Sequence, residues 1–261
     1  MGKMGGSRHL KREATPAFWP IHRKKYVWAV KPSPGPHPIE RCIPLGIIVR
    51  DLLGLAETMR EAKKIIAQGK ILVDGVVRRD EHFPVGLMDV VSIPEIKSYY
   101  RVLPFKKGLI LHKIDFGETS YKICRIENKT TVNGGHVQLN LHDGRNILIR
   151  SEDPSKPAGN AYRTLDTLKI GLPNQEILEH LRLEEGLIGI IIDGENIGKY
   201  GTIKSIERIE GQKRRKSLVT IEDSKGNTYS TILDYLFVIG DRETKISLPS
   251  EEMEEEAYVG G

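Results

Sequence analysis

Thr58-Met59-Arg60-Glu61-Ala62-Lys63-Lys64-Ile65-Ile66-Ala67-Gln68-Gly69 is the stretch on which the reading of this chain turns. Thr58 followed three residues later by Glu61 is a capping-box signature, in which each side chain satisfies the other's backbone N–H. Gly69 is a natural C-terminal stop. At about 100° per residue, Lys63, Lys64 and Ala67 fall within about 60° of Arg60, while Met59, Ala62, Ile65 and Ile66 lie about 140° to 260° round. The spacing therefore predicts a helix with one face to bury and one carrying three positive charges. A solvated lysine face is the ordinary alternative for such a helix.

The flanks favour the more specific reading. Upstream, Leu45 to Leu53 is apolar enough for a packed first helix, broken by Arg50. Downstream, Lys70 opens Ile71-Leu72-Val73, Asp74-Gly75 is a two-residue hairpin turn signal, and Val76-Val77 leads to Arg78 and Arg79. Two helices and a hairpin edged by Arg50, Arg60, Lys63, Lys64, Lys70, Arg78 and Arg79 make a cationic surface. Such a surface suits a phosphate backbone, because neutralising phosphates releases condensed counterions. Thr58, Ala62, Ile65-Ile66, Gly69 and Val73-Asp74-Gly75 together resemble the S-four RNA-binding domain. Met59 stands where many members of that family carry Arg.

Charge is distributed unevenly. The 261 residues hold 40 Lys+Arg against 35 Asp+Glu, yet residues 1–31 contain a single acid, Glu13, and the last twelve contain five Glu and no base. A basic head and acidic tail point to nucleic acid at one end and a solvated segment at the other. Two cysteines far apart, Cys42 and Cys124, show no metal-ligand spacing and read as buried apolar residues in a reducing compartment. No apolar run reaches the length of a membrane span, so a soluble intracellular protein is expected, without contact with a membrane.

Residues 1–42 carry six prolines between Pro16 and Pro38, which argues against long regular structure. They also hold both tryptophans, Trp19 and Trp28, interleaved with Arg8-His9-Leu10-Lys11-Arg12 and His22-Arg23-Lys24-Lys25. Basic runs among aromatics suit phosphate contact with base stacking. From Arg8, His9, Lys11, Arg12, Trp19, Arg23, Lys24 and Lys25 we expect an RNA-binding extension, disordered alone and ordered on its partner.

Beyond residue 98 the chain reads as strands, with Asn133-Gly134-Gly135 and Asp143-Gly144 as hairpin turns. Lys113, Lys122 and Arg125 fit a polar sheet face better than an RNA face. His112, His136 and His142 have nothing to bring them together, so neither metal nor cofactor is expected. Asp193 to Ile203 is glycine-rich but lacks P-loop spacing. Gly194, Gly198, Lys199, Gly201 and Ile203 resemble a KOW motif in an SH3-like barrel, with Lys199 and Tyr200 expected at the loop tip. Lys213-Arg214-Arg215-Lys216 is a second basic loop.

The order of these parts resembles the S-four-e family of small-subunit ribosomal proteins. His9-Leu10-Lys11-Arg12, Pro34-Gly35-Pro36-His37, Phe83 to Ile93 and Phe237-Val238-Ile239-Gly240 carry the resemblance, and the short length and acidic tail point to the archaeal type. The resemblance implies an α+β multidomain chain. It would comprise an extended N-terminal segment (1–42), a small α/β S-four-like RNA-binding domain (43–95), a central β domain (96–175), an SH3-like KOW barrel (176–242) and an acidic tail (243–261). It implies a structural constituent bound to small-subunit ribosomal RNA and neighbouring ribosomal proteins, with no small-molecule substrate. The alternatives are a free RNA-binding regulator or an accessory to an RNA-modifying enzyme. Pseudouridine synthases also carry S-four domains, but their Arg-Leu-Asp context is interrupted here by Thr164, between Arg163 and Leu165-Asp166.

Overall fold

The computed structural model describes residues 7–22, 24–106, 108–151, 161–208 and 213–249. The capping box forms as expected. Thr58 Oγ1 accepts from the Glu61 N–H at 3.3 Å, and Glu61 Oε2 accepts from the N–H groups of Glu57 and Thr58. The capped helix runs Met59–Ala67, with Gly69 in a left-handed conformation just beyond. Before it, one α-helical turn, Leu45–Ile47, passes into a π-helical turn, Ile48–Leu52. Ala62 and Ile66 of the capped helix are fully buried, whereas Met59 and Ile65 are half-buried.

The hairpin turn also forms. Asp74 (φ 52°) and Gly75 (φ 76°) supply the two positive φ angles that a tight two-residue connection requires. The helices pack on a five-stranded antiparallel sheet in the order Val76–Val77, Leu72–Val73, Val90–Ile93, Ser98–Phe105, Gly108–Lys113. This sheet extends past the boundary expected at residue 95. The turn at Pro94–Ile96 folds Ser98–Phe105 directly back onto Val90–Ile93, and alternation alone does not say which sheet a strand joins.

The N-terminal segment is not a separate unit over its described residues. Leu10–Lys11 pairs antiparallel with Trp28–Ala29. Trp19 is 2% exposed, packs with Ile43, Leu45 and Ile66, and donates its indole N–H to the Cys42 carbonyl at 2.8 Å. The prolines forbid a long helix here but do not forbid burial, and an indole removes a large apolar area from water.

A second five-stranded antiparallel sheet runs Asn146–Ile149, Val137–Leu141, Tyr121–Thr131, Thr167–Gly171, Ile177–Leu181. Its last strand lies past the boundary expected at residue 175. The third sheet runs Thr228–Ile232, Leu218–Glu222, Tyr200–Glu207, Ile188–Ile191, Leu236–Gly240, so that the strand latest in the chain, Leu236–Gly240, returns beside the earliest, Ile188–Ile191. Tyr200–Glu207 crosses Leu218–Glu222 so closely at Gly201 that a Cβ there would lie 2.2 Å from the Glu222 carbonyl oxygen. Over the described residues the chain is thus mostly β, with few helices.

Candidate nucleic-acid interface

The arc predicted for the capped helix exists. Arg60, Lys63 and Lys64 are exposed, and the capping box fixes the helix that carries them. Lys63 Nζ pairs with Glu81 at 2.6 Å while remaining 64% exposed at its side chain. Around the arc, Lys70 pairs with Glu95 at 2.9 Å and Arg79 is exposed. Arg78 lies half-buried with its guanidinium 4.3 Å from the centre of the Phe83 ring. Arg50 forks onto Asp51 and stacks 4.7 Å above Tyr26, which ties the N-terminal segment to the π-helical turn.

Several residues expected to touch RNA stand elsewhere. Trp19 is in the core and cannot stack on a base. Arg12 is 8% exposed, and its guanidinium donates to the Ile21 carbonyl and to Thr15, so it closes a loop from inside. Arg8, His9, Lys11, Lys24 and Lys25 are exposed, and Arg23 lies outside the described residues, as does the acidic stretch from Glu251.

Lys199 and Tyr200 are half-buried at the base of the glycine-rich loop, not at its tip. The Lys199 carbonyl accepts from Ile191, and Tyr200 opens the strand facing Ile190 and packs against Phe237 and its neighbours. Lys213, Arg214 and Lys216 are exposed. Arg215 instead holds Glu127 at 2.7 Å and Asp234 at 2.9 Å, bridging the second and third sheets. Arg125, 3% exposed, reinforces that seam by donating to the carbonyls of Asp234 and Leu236.

The least expected feature is Lys122. Alternation along its strand placed it on a polar face, yet it is wholly buried. Its ammonium meets Asp74 at 2.9 Å, Asp143 at 2.9 Å and Asp89. Asp74 and Asp143 are the aspartates of the two Asp-Gly turns, so both turn tips point at one cation. Arg145 adds a second charge, 2.6 Å from Asp74. Asp89 also faces His37 at 3.1 Å and accepts from the Gly86 N–H.

Burial pulls the Lys122 ammonium down, but the three carboxylates outweigh it and hold its pKa well above the ordinary range. Burial pushes Asp89 and Asp143 up. His37 and Lys122 outweigh it at Asp89, and Lys122 with His142 does so at Asp143, holding both well below ordinary carboxylates. At Asp74 burial prevails over Lys122 and Arg145, so its pKa is raised. The cluster joins the first sheet (Asp74, Asp89), the second (Lys122, Asp143) and the N-terminal segment (His37). It fixes their mutual orientation.

The histidines do not converge. His112 lies opposite Arg101 in the first sheet, His136 accepts from the Ser151 N–H, and His142 accepts from the Arg125 N–H. Cys124, His142 and Asp143 do approach one another, but the cation held there is Lys122. Burial raises the Cys42 thiol to about 12 and pushes Cys124 well above its usual range, so both stay protonated. Asp166, considered as a catalytic aspartate, is 1% exposed. It accepts from the N–H groups of Arg163 and Leu183 and from His180, a structural role. Among the described residues no helix is long and apolar enough to cross a membrane.

A capped basic helix, a tight hairpin and the sheet beneath them define the S-four-domain class, and the profile described as "S4 domain" matches residues 48–91. The profile described as "RS4NT (NUC023) domain" matches 4–40, and "Ribosomal family S4e" matches 96–177. The chain is 55% identical over 250 residues to a protein of Staphylothermus marinus, covering 95% of this chain and 98% of that one. It is 48% identical over 248 residues to one of Methanocaldococcus jannaschii, covering 95% and 100%. Both are named "Small ribosomal subunit protein eS4". The crystal structure of the 30S ribosomal protein S4e from Thermoplasma acidophilum superposes with a TM-score of 0.63 at 31% identity, covering 77% of this chain and 96% of that one. The chain belongs to the ribosomal S4e family.

Proposed function

We propose that the chain is a structural constituent of the small ribosomal subunit in the cytoplasm, that it binds ribosomal RNA, and that it performs no chemical step. The observation that carries this reading is the exposed arc of Arg60, Lys63 and Lys64 on a chain that overlaps its relatives almost end to end. RNA would lie along that arc and along Arg8, Lys11, Lys24, Lys25 and Arg79. Lys213, Arg214 and Lys216 form a second contact, and neighbouring ribosomal proteins cover part of the remaining surface.

In the same reading the third sheet is an SH3-like barrel whose Asp193 to Gly201 loop is KOW-like. The Lys122 cluster holds the S-four-like and central units at one angle, so that separate basic surfaces meet a single folded RNA in register. The test is sedimentation from native cells. A constituent travels with small subunits through high-salt washing, while recovery of the chain in the free pool after washing refutes the proposal.

A further inference from the structure

We infer that Trp28 is a stacking platform for an unpaired nucleobase of the bound RNA. This rests on the RNA-binding reading above and adds to it a particular residue and the chemistry that residue recognises. The two tryptophans of the chain have opposite environments. Trp19 is 2% exposed with its N–H bonded, while Trp28 is 57% exposed and the adjacent Val27 is 68% exposed. An indole left that open on an ordered strand is unusual, because it forgoes a large apolar burial.

The strand is held in place on its other side. Leu10 and Ala29, which face one another in the two-stranded ribbon, pack against the main core. The Arg12 N–H bonds the Val27 carbonyl at 3.0 Å, and Tyr26 lies under the Arg50 guanidinium. Trp28 is thus an aromatic surface on a fixed support. Its cross-strand partner is Lys11, directly opposite and also exposed, so both side chains leave the same face of the ribbon. His9 packs against the indole at 5.5 Å between ring centres, tilted 56°.

Charge selects the occupant. Arg8, Lys11 and Lys25 are exposed in the same segment, and Glu13 is the one acid in residues 1–31. An apolar protein segment would cover the indole but leave these cations uncompensated. An unpaired nucleotide supplies a π-face for the indole and phosphates for the lysines and arginine together. A fully paired helix supplies phosphates alone, since its bases are already stacked.

The full-length chain, its Trp28→Ala and Trp28→Phe variants, a short single-stranded RNA of mixed sequence and the duplex of the same strand make the test. On the single strand, the Ala variant should bind roughly ten- to a hundredfold more weakly, the range that the loss of one base–aromatic stack gives, and the Phe variant should keep most of the affinity. On the duplex both variants should match the parent. In the Phe variant the remaining emission, from Trp19, should not respond to RNA, whereas the parent's emission is quenched.

Equal binding of parent and Ala variant on the single strand overturns the platform and leaves the RNA reading standing. So does equal weakening on both RNAs, which would mark loss of fold or charge and not of stacking. An Ala variant that binds RNA normally but fails to enter small subunits overturns the nucleobase in favour of a protein neighbour. Failure of the parent to bind either RNA overturns the RNA reading itself and the platform with it.

Discussion

Replacing Lys122 by Met should be strongly destabilising, and the damage should depend on pH in a way packing defects do not. Met nearly fills the volume of the lysine stem but leaves Asp74, Asp89 and Asp143 facing one another with Arg145 as the remaining guanidinium beside them and His37 within hydrogen-bond reach of Asp89. Removing one partner of a buried ion pair costs about 3–5 kcal/mol, because the charge left behind is neither solvated nor paired. With three carboxylates sharing the lost cation, the upper part of that range is expected at pH 7. For a chain of this size that is a fall in melting temperature of roughly 8–20 °C.

The sign of the pH effect follows from the carboxylates. In the parent, Asp89 and Asp143 have depressed folded pKa values, so their contribution is full above the unfolded carboxylate range near 4 and is lost as pH falls below it. In the Met variant the uncompensated carboxylates take up protons more readily than in the unfolded chain. Their penalty therefore shrinks as pH falls, and the gap between parent and variant should narrow from pH 7 towards pH 4.5. Urea denaturation followed by circular dichroism at several pH values measures that gap, and a second replacement, Asp74→Asn, should recover part of the loss. A loss below about 1 kcal/mol at pH 7, or a gap that stays constant with pH, would refute the view that Lys122 is the charged centre of this junction.

Other outcomes are expected. Reversing Lys63 and Lys64 to Glu should leave the chain folded with a modestly lower melting temperature, because Lys63 gives up Glu81 as a partner and sets a like charge against it, and should weaken RNA binding strongly; a filter-binding titration beside a thermal melt checks both. Ile66→Ala should cost roughly 2–5 kcal/mol because Ile66 is fully buried, whereas Ile65→Ala should cost clearly less. If about five phosphates are neutralised, the logarithm of the RNA-binding constant should fall with the logarithm of salt with a slope near −4; a flat response would exclude a mainly electrostatic interface.

What the sequence by itself determined was local. The capped helix, its basic arc and the Asp74-Gly75, Asn133-Gly134-Gly135 and Asp143-Gly144 turns all rest on interactions between residues a few positions apart, and each formed where the pattern placed it. The family resemblance was legible for the same reason, since its motifs are contiguous. What only the tertiary structure decided was which side of a strand, or which tryptophan, faces the interior. Trp19 and Trp28 sit in the same basic, proline-rich segment, and the distinction between them is made by Cys42 and the core residues that close over one of them. Alternation shows that a strand has two faces without showing what covers each. Ser98–Phe105 and Ile177–Leu181 therefore joined sheets on the far side of their expected borders. Lys122 reads as one more polar position until two turn aspartates, remote in sequence, are brought to its ammonium. A buried charge is tolerated only where such partners converge, and that convergence is a property of three packed units that no single segment encodes.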